Sequence, residues 1–377
     1  MSDIKKNIKN ENADNKKNTF SRRDFLKFFG IMNLGLLGMQ IPKAAAQDYY
    51  RFNLNNTDFV SNKEYAKSDI ILPDTLKKGD TVAFVAPASP VSKGQITRYV
   101  NYFKDKGCNV VIGDTILNQK NDYKYLAASD EIRANELNYY FRDKDVKAII
   151  CGRGGYGIIR ILDLLDYEAL RKYPKIIMGY SDITALLIAV YRRSGIITYH
   201  GPVGVSNLTE EHKKNLDQTL FSKEDKIVYS IPDMKTICPG ETTGVLQGGN
   251  LTLITAAMGT KYSMQQTNAL LFLEDVSVLA HEFDRMLNQL LIANKLRNCK
   301  GIMFGKMSGL NKRGNFYPNK AYTILEVMTE VTKDLNIPVA YDVPFGHVES
   351  TVICPIGLNA YLNTEKKYIE ISKKLPC

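Results

Sequence analysis

The chain has 377 residues and a formal net charge of +10, from 50 Lys/Arg against 40 Asp/Glu. Beyond the N-terminal region the basic excess is mild and spread out, with no Arg/Lys block of the kind that tracks phosphates, so no nucleic-acid partner is expected. Six cysteines without a Cys-x-x-Cys and four histidines without a His-x-x-x-His argue against a zinc ribbon, a redox dithiol or any metal; no cofactor is expected.

The first 46 residues read as an export signal. Arg22 and Arg23 are followed by Phe25, Leu26 and Lys27, then by a mostly apolar run over 28–41 and a small-residue site at Ala44-Ala-Ala46. The paired arginines predict the twin-arginine export machinery as a partner and a periplasmic location. The apolar run falls short of the roughly 20 residues a membrane span needs. Residues 47–70 form a polar leader.

From there short β-rich runs alternate with helical patterns. Strands are expected over 81–86, 109–112, 146–151, 176–178 and 196–199, and helices over 96–106, 131–142, 158–172 and 183–193. Such alternation implies βαβ units and a parallel sheet, the α/β, doubly wound class, with ligands outside the carboxyl ends of the strands. The N-terminal domain is placed at 71–208. Residues 209–243, rich in Lys and Asp/Glu and closing on Pro232 and Pro239, read as a linker. The C-terminal domain, 244–377, is expected to be mixed α+β. Its strands fall at 270–273, 301–304 and 338–341, its helices at 282–296 and 321–335, and a hairpin joins 360–362 to 368–371. Cys108, Cys151 and Cys354 sit in or beside apolar runs and read as buried free thiols.

Three segments at expected strand ends bear chemistry. Cys151-Gly-Arg-Gly-Gly-Tyr-Gly157 follows a strand and exposes backbone N–H groups, suiting an anion, an oxyanion or simply a tight turn. Gly179-Tyr-Ser-Asp182 precedes a helix. Ser181 there is either an N-cap or a displayed nucleophile, although Gly-x-Ser-x-Gly is not met, because Ile183 stands in the second glycine's place. Asp342-Val-Pro-Phe-Gly-His347 puts a histidine on a loop after a strand. A serine nucleophile needs a base, and the base an orienting acid. Glu274 and Asp275 are candidate acids; His200, His281 and His347 are candidate bases, while His212, in a charged run, reads as solvated.

Seven pieces fall in order: 78–89, 133–137, Arg153-Gly-Gly-Tyr-Gly157, Gly179-Tyr-Ser-Asp182, Gln247-Gly-Gly-Asn-Leu251, Leu273-Glu-Asp275 and Phe345-Gly-His347. Together, over about 72–361, they resemble the serine LD-carboxypeptidases, a family that includes microcin-immunity peptidases. The resemblance implies Ser181 as nucleophile, His347 as base and Glu274 as its orienting acid. It also implies an oxyanion hole from the Gly155 and Asp182 N–H groups, a homodimer, and a site between the two domains. Arg153 is a candidate grip for a terminal carboxylate, and Asn250 a candidate lining residue. The expected activity is removal of the terminal D-alanine from peptidoglycan stem peptides. Alternatives are endopeptidase cleavage of LD cross-links, hydrolysis of a peptidyl-nucleotide, and a periplasmic solute-binding protein without catalysis.

Overall fold

The structure, a computed structural model, describes residues 69–118, 124–307, 322–349 and 352–375. The expected export signal and nearly all of the polar leader lie outside the described residues.

The apolar runs of the front half become β1 (Thr81–Val85), β2 (Asn109–Ile112), β3 (Val146–Cys151), β4 (Ile176–Gly179) and β5 (Thr198–His200). They pair in parallel in the order β2-β1-β3-β4-β5. The inner strands are buried on both faces, which is why they read as unbroken apolar runs rather than as alternations. Helices α1 (Lys93–Asp105), α2 (Asp114–Leu117), α3 (Asp130–Arg142), α4 (Tyr167–Lys172) and α5 (Ile183–Ser194) supply the crossovers. The strand order reverses between β1 and β3, so the loops leaving β1, β3 and β4 open at a switch point suited to a ligand.

One helix expected over 158–172 is instead a turn, a short 3₁₀ stretch at Leu162–Leu164 and then α4. Leu165 is extended, and the Asp166 carboxylate accepts from Ala169 N–H at 3.0 Å, so the chain stops and restarts on a new cap.

The second sheet has eight strands, in the order β6-β14-β13-β8-β9-β10-β11-β7. Its centre is β8 (Glu241–Asn250), β9 (Ala269–Glu274), β10 (Gly301–Gly305) and β11 (Val339–Val343), all parallel to one another. Antiparallel strands flank them: β6 (Lys226–Ser230), β7 (Lys235–Cys238), and the hairpin β13 (Asn359–Asn363) with β14 (Tyr368–Ser372). Helices α6 (Glu210–Leu216), α7 (Leu251–Ala256), α8 (Ala280–Ile292) and α9 (Ile324–Thr332) complete this half. The stretch read as a linker, 209–243, therefore carries α6, β6, β7 and the start of β8. Its charged residues fall mostly on α6 and the turns, while Lys226 and Lys235 sit on edge strands that leave residues open, as in the exposed–buried alternation of β6.

A last short strand, β12 (Cys354–Ile356), leaves the second half and pairs antiparallel with β5, closing the first sheet. One apolar cluster runs through both sheets. At their junction Gly249 has φ +130, and a Cβ there would come 2.5 Å from Thr184 Cγ2, so only glycine lets the end of β8 lie against α5. Asn250 N–H donates to Thr184 Oγ1 at 3.1 Å across the same seam.

Candidate active site

Ser181 sits between β4 and α5 with φ +64, a left-handed conformation that costs a non-glycine residue about 1–3 kcal/mol. The helix N-cap is Asp182, with helical backbone angles and no side-chain cap bond. The hydroxyl of Ser181 is thus not spent on capping, and the strained turn presents it at the carboxyl end of the first sheet. The Arg-Gly-Gly loop lies directly on it: a Cβ on Gly154 would come 2.8 Å from Ser181 Cβ and 3.1 Å from Oγ.

Glu274, the last residue of β9, is fully buried, and its Oε2 lies 2.8 Å from His347 Nδ1. Burial would raise this carboxyl, but the two imidazoles beside it, His200 and His347, outweigh burial and hold it well below the usual carboxylate range. An ionised carboxylate only accepts, so Nδ1 carries the proton and Nε2 of His347 is left as the basic nitrogen. The His347 side chain is 21% exposed, enough to meet a substrate. Tyr180, one residue before Ser181, packs edge-to-face on the His347 ring with centroids 4.8 Å apart, which brings the histidine loop against the serine turn.

The rival groups fall away on geometry. His281 is exposed on α8. His200 is fully buried on β5 with no outlet to a groove. Asp275 accepts from Asn250 Nδ2, Val276 N–H, Thr252 N–H and Thr252 Oγ1, so it serves the start of α7. His212 departs from its reading: it is buried, not solvated, and its Nδ1 lies 2.9 Å from Thr209 Oγ1 in a capping box at the start of α6.

The donor loop after β3 is held from several sides. Ser89 N–H donates to Gly154 O at 3.2 Å, and Ser89 Oγ accepts from Tyr156 N–H at 3.1 Å. Asp182 Oδ2 accepts from Ile158 N–H at 2.9 Å, tying the serine turn to the far end of the loop. Gly155 has φ +106. Neither Gly155 N–H nor Asp182 N–H donates to another described residue, which leaves both for an oxygen developing negative charge. Arg153 is exposed on this loop, forms no ion pair with another described residue, and its charge reaches the Tyr180 phenol. Asn250 is only 3% exposed; its Oδ1 caps Leu253 N–H and its Nδ2 serves Asp275, so its amide is engaged inside the protein and is a brace rather than a free contact.

Two supporting roles were not read from the sequence, where Arg133 stands only within a motif and His200 only as a candidate base. Arg133 is fully buried, and its guanidinium donates to Pro87 O, to Ala128 O at 3.2 Å and to Gly157 O at 3.0 Å while pairing with Asp130 at 2.5 Å. It thereby clamps the β1 loop to the donor loop. The signal was legible: Arg133 shares the inner stripe of α3 with Leu137 and Phe141, an odd place for an arginine without such a task. His200 beside Glu274 is the other.

Residues 82–201 match the LD-carboxypeptidase N-terminal domain and residues 243–362 the LD-carboxypeptidase C-terminal domain. The chain is 33% identical over 303 residues to the "Probable murein peptide carboxypeptidase" of Bacillus subtilis, covering 78% of this chain and 92% of the relative. It is 27% identical over 343 residues to the "Microcin C7 self-immunity protein MccF" of Escherichia coli, covering 82% and 97%. Among solved structures, the muramoyltetrapeptide carboxypeptidase from Oxalobacter formigenes superposes with a TM-score of 0.67 at 27% identity, covering 79% of this chain and all of that one. The two-sheet α/β architecture, the family-wide match and the serine turn facing a Glu–His pair agree: the chain belongs to the LD-carboxypeptidase family and is a serine carboxypeptidase of that family.

Proposed function

We propose that this enzyme removes the terminal D-alanine from peptidoglycan tetrapeptide stems by way of an acyl-enzyme, outside the cytoplasm. The observation that carries the chemistry is the left-handed Ser181, free of capping duty, on a turn whose Tyr180 packs against an imidazole with its Nδ1 fixed by a buried carboxylate. His347 Nε2 takes the hydroxyl proton as Ser181 Oγ attacks the carbonyl of the L,D bond. The resulting oxyanion is met by the Gly155 and Asp182 N–H groups. His347 then returns the proton to the leaving D-alanine amine, and water, deprotonated by the same imidazole, releases the acyl group. Arg153, exposed beside the serine turn, suits the free carboxylate that distinguishes an exopeptidase substrate. Support for action on the wall itself comes from the twin-arginine pattern and the apolar run after it. A homodimer follows from the family resemblance, and light scattering on the purified protein reads its mass directly.

The test is incubation with a muramyl tetrapeptide and mass spectrometry of the products. Release of D-alanine that disappears in Ser181→Ala supports the proposal. Binding without turnover would return the protein to the class of solute receptors. Cleavage of a peptidyl-nucleotide is the second reading, and the same assay run with an aminoacyl sulfamoyl nucleoside separates it.

A further inference from the structure

His200 is an unused titratable group at the centre of the molecule. Its side chain is fully buried at the end of β5, and neither ring nitrogen has a hydrogen-bond partner among the described residues. Its Nε2 lies 3.8 Å from Glu274 Oε1, an ion-pair distance but too long for a hydrogen bond. Glu274 Oε1 is itself a buried oxygen without a hydrogen bond. Buried polar atoms of this kind are rare, and three of them at one spot call for a shared explanation. The carboxylate is bracketed: one oxygen faces His347 at 2.8 Å, the other faces His200. Tyr180, whose ring is 6.2 Å away, and Cys354, its ladder partner on β12, are further titratable groups near His200 among the described residues. Burial raises both of these above their ordinary values, so both are neutral near pH 7 and Glu274 is the charge that His200 sees. Phe272 walls off the rest, with its ring 5.3 Å from the imidazole.

We propose that His200 is a positioning residue of the active site, an Nε2–H dipole aimed at Glu274 Oε1 that holds the carboxylate with Oε2 toward His347 and shares its negative charge. Glu274 Oε2 and His347 Nδ1 are in contact at 2.8 Å, so a proton on either is felt by both. Withdrawing a donor from the carboxylate raises the proton affinity of that pair, whether the proton resides on the imidazole or on the acid. His200 thus keeps the pair unprotonated, and the base ready, to lower pH than Glu274 alone would allow.

This inference rests on the reading of Ser181, Glu274 and His347 as the reacting set, but its test needs no peptidoglycan. The pH dependence of Ser181 modification by a fluorophosphonate, and the ring titration of His347 by ¹⁵N-histidine NMR, are compared in the parent, His200→Phe and His200→Gln. The phenyl ring keeps the volume and removes the donor; glutamine returns an N–H near the Nε2 position. His200→Phe is expected to slow modification about 10- to 100-fold at neutral pH, and to move both the acid limb and the His347 titration upward by about one pH unit. His200→Gln should restore most of both. A His200→Phe protein with the parent's pH profile, or a glutamine variant as impaired as the phenylalanine one, overturns the proposal and leaves His200 as packing. Should the natural substrate prove to be something other than a stem peptide, both readouts stand unaffected.

Discussion

At the residue scale the site depends on orientation more than on the presence of particular groups. Glu274→Gln would keep the volume but offer His347 an amide that can donate, so the imidazole loses the fixed tautomer that leaves Nε2 basic. The expected loss in kcat is about 10³- to 10⁴-fold, by analogy with other serine triads, with the melting temperature little changed. Steady-state kinetics on a tetrapeptide, with calorimetry beside it, checks both. Asp182→Ala cuts the bond from its carboxylate to Ile158 N–H while leaving its own backbone N–H in place. A loosened donor loop should lower kcat by about tenfold, less than the 10²–10³ for losing a donor outright. Much of this was legible. Glycine, serine and acid positions came from motif order, and Glu274 was already a candidate acid. The choice among His200, His281 and His347 was beyond periodicity, because it depends on which strand end meets which across the seam between the sheets. Ser181 was equally ambiguous: a serine before a helix looks like a cap until its left-handed backbone is seen.

At the scale of elements, the loops around the serine are braced by groups that titrate. Ala86 N–H, at the end of β1, donates to Thr115 Oγ1 at 2.8 Å, and Thr115 in turn meets the Glu136 carboxyl through its hydroxyl and through its N–H at 3.0 Å. Burial pushes Glu136 up to about 7, against the pull of the Thr115 donors. A carboxyl raised above its unfolded value contributes stability that is full below the unfolded pKa, near 4.5, and is lost as pH climbs through about 7. Glu136→Gln mimics the protonated form. It should match the parent at pH 4 and exceed it at pH 8 by on the order of 1–3 kcal/mol, measured by urea unfolding at the two pH values. The strands of the first sheet were readable because burial on both faces makes them continuous apolar runs. β6 and β7 were not: edge strands carry charge on their open face, so Lys226 and Lys235 made a structured stretch look like a connection.

At the scale of the whole molecule, the two halves are not separable modules. β12 comes from the far end of the chain yet pairs with β5, and the apolar cluster is continuous through both sheets. The protein should therefore unfold in one calorimetric transition, with van't Hoff and measured enthalpies in agreement. A fragment ending at residue 208 loses β12 and leaves β5 as a bare apolar edge, so it should fail to fold cooperatively and elute as aggregate in size exclusion. Two independent peaks in the scan of the full chain, or a soluble, cooperatively melting fragment, would contradict this.

The same return strand has a consequence for the base. His347 lies between β11, rooted in one sheet, and β12, rooted in the other, so it rides a tether pinned at both ends. Ser181 answers to a single sheet. Prying the layers apart would drag the imidazole while the hydroxyl stayed with its own strand, so a gaping groove disarms the serine before any grip on a peptide is lost.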